Sequence, residues 1–180
     1  MNLKALGFIK DKMSLTADWT PVNQILIQGV QVKEIKNVIK TNGSLTEIWR
    51  KEWQLDETSI DQIFQVCINP GEISDWHIHE FTTDRIFVNR GSVKIVLYDP
   101  NEDSPTYRRI NEFNVGISRP HLITIPPGVC HAIQNITNEI SSVINIVDRA
   151  YNYEDPDHWR LAANTDLIPY NFKSIRNSNI

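Results

Sequence analysis

Between Gln24 and Asp148 apolar and polar residues alternate in short runs cut by Gly, Pro and Asn. Alternation of period two is the mark of a strand with one face buried. "QILIQGVQVKE", from Gln24 to Glu34, predicts a strand or strand pair interrupted at Gln28-Gly29. Asn42-Gly43 is a tight-turn signal, and "SLTEIWR" alternates again after it. "IDQIFQVCI" runs until Asn69-Pro70-Gly71 stops it. "DRIFVNRGSVKIVLYD" reads as a hairpin turning at Asn89-Arg90-Gly91, with Ile86 and Val88 before the turn and Val93, Ile95 and Leu97 on one face after it. "HLITI" leads into Pro126-Pro127-Gly128, and "HAIQNI" with "SSVINIVD" is expected to form the last pair. Short helices are expected only near the ends, around Ala5 to Met13 and Asp155 to Ala163. Many short strands between such turns predict an all-β sandwich or barrel. Three parts are expected: an N-terminal segment over 1–23, a barrel over 24–150 and a C-terminal extension over 151–180 packing on it.

Composition narrows the picture. At 180 residues, 41% hydrophobic and 22% charged, the chain has the make-up of one globular domain. A net charge of -4 without a basic stripe argues against nucleic acid as a partner. No apolar run approaches bilayer length, so no membrane association is expected. "MNLKALGFIKDK" lacks an uninterrupted apolar core and a small-residue cleavage site, so no signal peptide is expected. Cys67 and Cys130 are too few for a disulfide framework. A cytoplasmic protein handling a small molecule is the expectation.

The candidate chemistry lies in "GEISDWHIHEFTTDRIFVNRG". His77 and His79 stand two apart on an extended stretch, so both side chains leave one face. Asp84 follows at the start of the next strand, and His131 follows the Pro-Pro-Gly turn. The order from Gly71 through His77, His79 and Asp84 to Gly91, then from Pro126 through Gly128 and His131 to Asn135, resembles the two signature motifs of the cupin superfamily. Pro120 stands where the second motif has its leading glycine, and Asp84 where the first has glutamate. The resemblance implies a double-stranded β-helix, a single jelly-roll barrel, with His77, His79, Asp84 and His131 converging inside as metal ligands. Three imidazoles and a carboxylate suit divalent Mn, Fe, Ni, Cu or Zn. A pocket without an ion, working by acid–base chemistry alone, is the alternative.

"GVQVKEIKNVIKTNGSLTEIWR", "VLYDPNEDSPTY", "IPPGVCHAI" and "AYNYEDPDHWRL" look like the dTDP-4-dehydrorhamnose 3,5-epimerase group. The resemblance implies an epimerase or isomerase of nucleotide-linked keto-sugars in polysaccharide biosynthesis, working as a homodimer. It puts the histidine base at His79, the second-motif histidine at His131 and a glutamate at Glu47. The family's lysine falls on Asp84, its arginine partner on Asn42 and its tyrosine on Asn145, with Tyr151 the nearest substitute acid. Trp76 and His77 replace the Arg-Gly of the family's Arg-Gly-Leu-His run. The catalytic candidates are thus His79, His131, Tyr151 and Glu47, with Arg85 and Trp76 expected to touch substrate. If His79 ligates an ion, its lone pair is not free to act as base, and Glu47 or Tyr151 must take the proton. Losing an arginine and a lysine while gaining His77 and Asp84 reads as an exchange of cationic side chains for a bound cation. Arg50 and Arg160 are lesser diphosphate candidates, and Trp49, Trp53, Phe81 and Trp159 are expected in packing before stacking. His121 and His158 fall outside the motifs and are expected at the surface or in structural roles. Alternation turns Cys130 away from His131. A metal-dependent dioxygenase, lyase or sugar-phosphate isomerase, or a non-catalytic ligand-binding barrel, would carry the same motifs.

Overall fold

A computed structural model describes residues 1–17 and 25–173. Gln24, the 23/24 junction and residues 174–180 of the extension lie outside the described residues. The strands, in chain order, are β1 Gln31–Glu34, β2 Asn37–Lys40, β3 Gly43–Thr46, β4 Gln62–Ile68, β5 Trp76–Ile78, β6 Asp84–Arg90, β7 Ser92–Tyr98, β8 Ile110–Gly116, β9 His121–Ile125, β10 Cys130–Asn135, β11 Ser141–Val147 and β12 Trp159–Leu161. One sheet runs β1-β9-β6-β11-β4, a second runs β12-β5-β10-β7-β8, and β2 with β3 makes a separate ribbon around the Asn42-Gly43 turn. Every strand pairing among the described residues is antiparallel. This is the expected jelly roll.

Two expected hairpins are not hairpins. β6 pairs with β9 and β11, whereas β7 pairs with β8 and β10. The Asn89-Arg90-Gly91 turn therefore carries the chain from one sheet to the other, as does the turn between β10 and β11. The reason lies in burial: Ile86 and Val88 face Val93, Ile95 and Leu97 across the interior, and the apolar faces of both strands close on each other. The two crossings pack together. Gly91 has φ of +73°, and a side chain there would collide with Ser141, whose Oγ donates to Asn135 Oδ1 at 2.8 Å.

The expected terminal helices are absent. Near the N-terminus only a 3-10 turn, Lys4–Leu6, forms, and Trp159–Leu161 is a strand pairing with β5. Among the described residues no helix is long and apolar enough to cross a membrane. The predicted interruption at Gln28-Gly29 is a turn, and among the described residues of that stretch only Gln31–Glu34 forms a strand. β8, unforeseen, pairs with β7 along its whole length.

Inside the barrel, Ile86, Val88, Val93, Ile95, Leu97, Phe113, Ile123, Ile133 and Val143 pack as one core. Each outer face carries its own cover. Trp76, Val96, Cys130 and Ala132 lie under Ile168, Tyr170 and Phe172 of the C-terminal extension. Phe87 and Leu122 lie under Ile48, Trp49, Trp53 and Leu55. Cys130 thus faces away from the interior, as alternation predicts, and Trp49 and Trp53 pack as expected, whereas Phe81 and Trp159 are exposed.

Candidate active site

The barrel core does not fill the whole interior. A cavity of about 750 Å³ opens beside it, with Ile68, Ile86, Ile133 and Val143 as apolar lining and His77, His79, Asp84, His131 and Asn145 as polar lining. Strand periodicity puts these groups there. His77 and His79 leave one face of the β5 segment while Trp76 leaves the other. β10 pairs beside β5 with His131 opposite His77. Asp84 enters from the facing sheet.

Asp84 is the hub. Its Oδ2 lies 3.2 Å from His79 Nε2 and 3.5 Å from His131 Nε2, and its Oδ1 accepts from Asn145 Nδ2 at 2.6 Å. Burial alone would raise the Asp84 pKa, but the His79 hydrogen bond, the charges of His131 and His79, and the Asn145 amide hold it down at about 2. His79 is raised for the reciprocal reason: burial opposes its charge, and Asp84 together with the Asp157 carbonyl outweighs that. Burial depresses His131, with His79 adding to it. Burial, then the charges of His131, His158 and Arg160, pushes His77 down to about 3. The cavity therefore sets a carboxylate held toward its charged form against an imidazole on which a proton is favoured, while burial disfavours charge on His77 and His131.

A segment after β11 forms one wall, through Arg149, Tyr151, Asn152, Asp155, Asp157, His158 and Arg160. Asp157 anchors it: its carboxylate accepts from the backbone N–H groups of Glu80, Phe81 and Thr82 at 2.7, 2.9 and 2.9 Å, and from Thr82 Oγ1 at 2.7 Å. The Asp157 carbonyl faces His79 Nδ1. One residue thus shapes the 80–82 loop and fixes the His79 ring.

The structure brings together most of the expected residues and separates others. The ligand atoms of His79, Asp84 and His131 lie within 4.8 Å of one another. His77 lines the same cavity but falls outside that trio, its enclosed Nε2 without a hydrogen-bond partner among the described residues. Tyr151 lies on the cavity wall. Arg85 does not reach the cavity. It follows Asp84 on β6 and so points to the opposite face, fully buried, with Nε and Nη2 on Asp56 at 2.7 and 2.5 Å and Nη1 on the Ile146 carbonyl at 3.4 Å. Trp76 is likewise turned outward, packed against Tyr170 and Phe172. Glu47 is exposed and paired with Arg50, away from the cavity. His121 stays outside the cavity, its Nδ1 against the Arg119 carbonyl. His158, expected at the surface or in a structural role, stands in the cavity wall, its ring centroid 4.5 Å from that of His77 and 5.2 Å from that of His79. Parity along the strands was enough to exclude Arg85 and Trp76; no spacing signal marks His158, because it arrives on an irregular segment.

A jelly roll holding histidines and a carboxylate at the floor of an interior cavity defines the cupin class. Within that class, residues 38–159 match the family described as "Polysaccharide biosynthesis C-terminal domain", and the chain belongs to it. It is 31% identical over 136 residues to the probable low-salt glycan biosynthesis epimerase Agl13 of Haloferax volcanii, covering 75% of this chain and 87% of that protein. The fold is shared with a dTDP sugar isomerase from Desulfovibrio desulfuricans, with a TM-score of 0.76 at 23% identity over 82% of this chain and 94% of that one. It is shared too with dTDP-6-deoxy-D-glucose-3,5-epimerase from Legionella pneumophila, with a TM-score of 0.74 at 14% identity over 83% and 81% of the two chains.

Proposed function

We propose that this protein is a sugar epimerase or isomerase of glycan or polysaccharide biosynthesis, acting on a nucleotide-linked keto-sugar by moving a proton on a carbon next to the ketone. The observation that carries this reading is the Asp84 hub at the floor of a cavity large enough for a sugar ring, in a chain with an epimerase relative at 31% identity. Removing a proton α to a ketone needs a base at the carbon and positive charge at the oxygen that becomes an enolate. The His79–Asp84–His131 group supports the second requirement. Two imidazoles and a carboxylate with their donor atoms within 4.8 Å fit a divalent cation, and the orphaned Nε2 of His77 beside them fits the same reading. Such an ion, when bound, supplies Lewis acidity at the ketone oxygen. Without it, the proton that Asp84 and the Asp157 carbonyl favour on His79 would bring positive charge beside that oxygen. Tyr151, on the cavity wall, supports a role as the proton donor that completes an epimerisation. Outer edges at β1 and β4 that carry no further strand among the described residues, and exposed Leu3, Leu6, Phe8 and Ile9, support a homodimer. The absence of a membrane-crossing helix among the described residues is compatible with work in the cytoplasm.

The test is incubation with dTDP-4-keto-6-deoxyglucose in deuterated water, with elemental analysis of the same protein purified without chelator. Deuterium entering at C3, C5 or both is the expected result. No incorporation across a range of protein concentrations would sink the reading.

A further inference from the structure

The proposed chemistry leaves the identity of the base open, and the four imidazoles of the cavity are not equivalent. A base must present an unshared ring nitrogen to the substrate. His79 has none to offer: Nε2 is turned to Asp84 and Nδ1 to the Asp157 carbonyl, both acceptors. A metal ion would occupy the same Nε2. His131 is spent in the same way, with Nε2 toward Asp84 and Nδ1 toward the Val129 carbonyl at 3.4 Å, and it is buried. His77 keeps its Nε2 enclosed. His158 differs from all three. It is only partly buried, it lines the cavity, and neither of its ring nitrogens takes a hydrogen bond among the described residues.

We infer that His158 is the catalytic base, presented to the substrate by the wall segment, while the His79–Asp84–His131 group faces the ketone oxygen. This rests on the proposed proton transfer and assigns its first step. A ring nitrogen of His158 takes the proton from the carbon next to the ketone. The C–H pair becomes the C=C of the enolate, and the carbonyl pair moves onto the oxygen facing the His79–Asp84 group. His158 then carries the proton and releases it to solvent, while Tyr151 protonates the carbon and regains its own proton from solvent. Its ring lies 5.2 Å from that of His79, so base and polarising group stand side by side, as neighbouring carbon and oxygen atoms require. The fixed backbone nearby supports the presentation: His158 N donates to the Pro156 carbonyl at 2.8 Å, and Asp157 is locked to the 80–82 loop.

The experiment compares deuterium incorporation into dTDP-4-keto-6-deoxyglucose by the unaltered protein, His158→Gln and His158→Ala, with dTDP binding and the thermal midpoint measured on each. The expected result is a loss of about a hundredfold or more in both variants, with dTDP affinity within threefold of the unaltered protein. Added imidazole is expected to restore His158→Ala at least tenfold, which a merely structural histidine would not allow. Exchange retained by His158→Gln at a third or more of the original rate overturns the assignment and leaves the proposed function standing. So does failure of imidazole to restore a folded His158→Ala. No exchange by the unaltered protein removes both.

Discussion

Asp84 and Arg85 are consecutive residues of β6, both almost wholly withdrawn from water, and they live in contrasting surroundings. Arg85, on the outer face, is saturated: its fork grips Asp56, its remaining nitrogen reaches the Ile146 carbonyl, and Thr58 adds a further oxygen at Nη2. Asp84, on the inner face, is held by one amide and two imidazoles at the floor of a cavity. A buried charge closed on all sides by the protein's own groups fastens a loop to a sheet. A buried charge with its partners gathered on an open space is arranged for something that enters that space. The difference separates two residues that the linear sequence makes neighbours, and it says which of them to remove to learn about stability and which to learn about chemistry.

The largest expected effect follows from Asp84→Asn. Removing the charge that organises His79 and His131 should lower deuterium exchange into the keto-sugar by about a hundredfold or more, with a smaller loss of stability than the next variant. A normal exchange rate in Asp84→Asn would erase the contrast. Next comes Arg85→Ala, which leaves the partly buried Asp56 without its partner. It should cost about 3–5 kcal/mol in denaturant-induced unfolding and leave the exchange rate per folded molecule within twofold. Loss of activity with unchanged stability would reverse the assignment.

The smallest expected effect is in the acid limb of stability. The folded-state pKa of Asp84, about 2, lies below its ordinary value of 3.8. The stabilisation it contributes is therefore present above about pH 4 and is lost as pH falls toward 2, in all roughly 2 kcal/mol. Urea titrations of the unaltered protein and of Asp84→Asn between those limits should converge as the pH is lowered. Curves that stay parallel would mean that the carboxylate is not stabilised as its neighbours imply.

Much of this arrangement could be read along the chain, and the parts that could not have a common cause. Alternation located β4, β6, β7, β9, β10 and β11, and the order of His77, His79, Asp84 and His131 announced a shared interior. Alternation states which way a side chain points but not which strand lies alongside. For this reason β6 and β7 look like a hairpin, although Ile86 and Val88 meet Val93, Ile95 and Leu97 across the interior and not along a shared edge. The same parity that turns Asp84 inward turns Arg85 outward, and the same parity that turns His77 inward turns Trp76 outward; position beside a motif was a weaker guide than the pleat. His158 lay beyond this reasoning altogether. Its place is set by Asp157 binding the backbone of residues 80–82, a contact across more than seventy positions that leaves no periodic trace.

That Asp157 attachment has a consequence for how the chain acquires its activity. During synthesis both sheets can close once β11 has emerged, apart from the short edge strand β12, while the wall that faces the substrate is still to come. Clipping the polypeptide after Val147 would leave the paired core strands behind and take away Tyr151, Asp157 and His158 together. On the proposed assignment, the segment made after the core strands is the one that brings proton-transfer groups to the cavity.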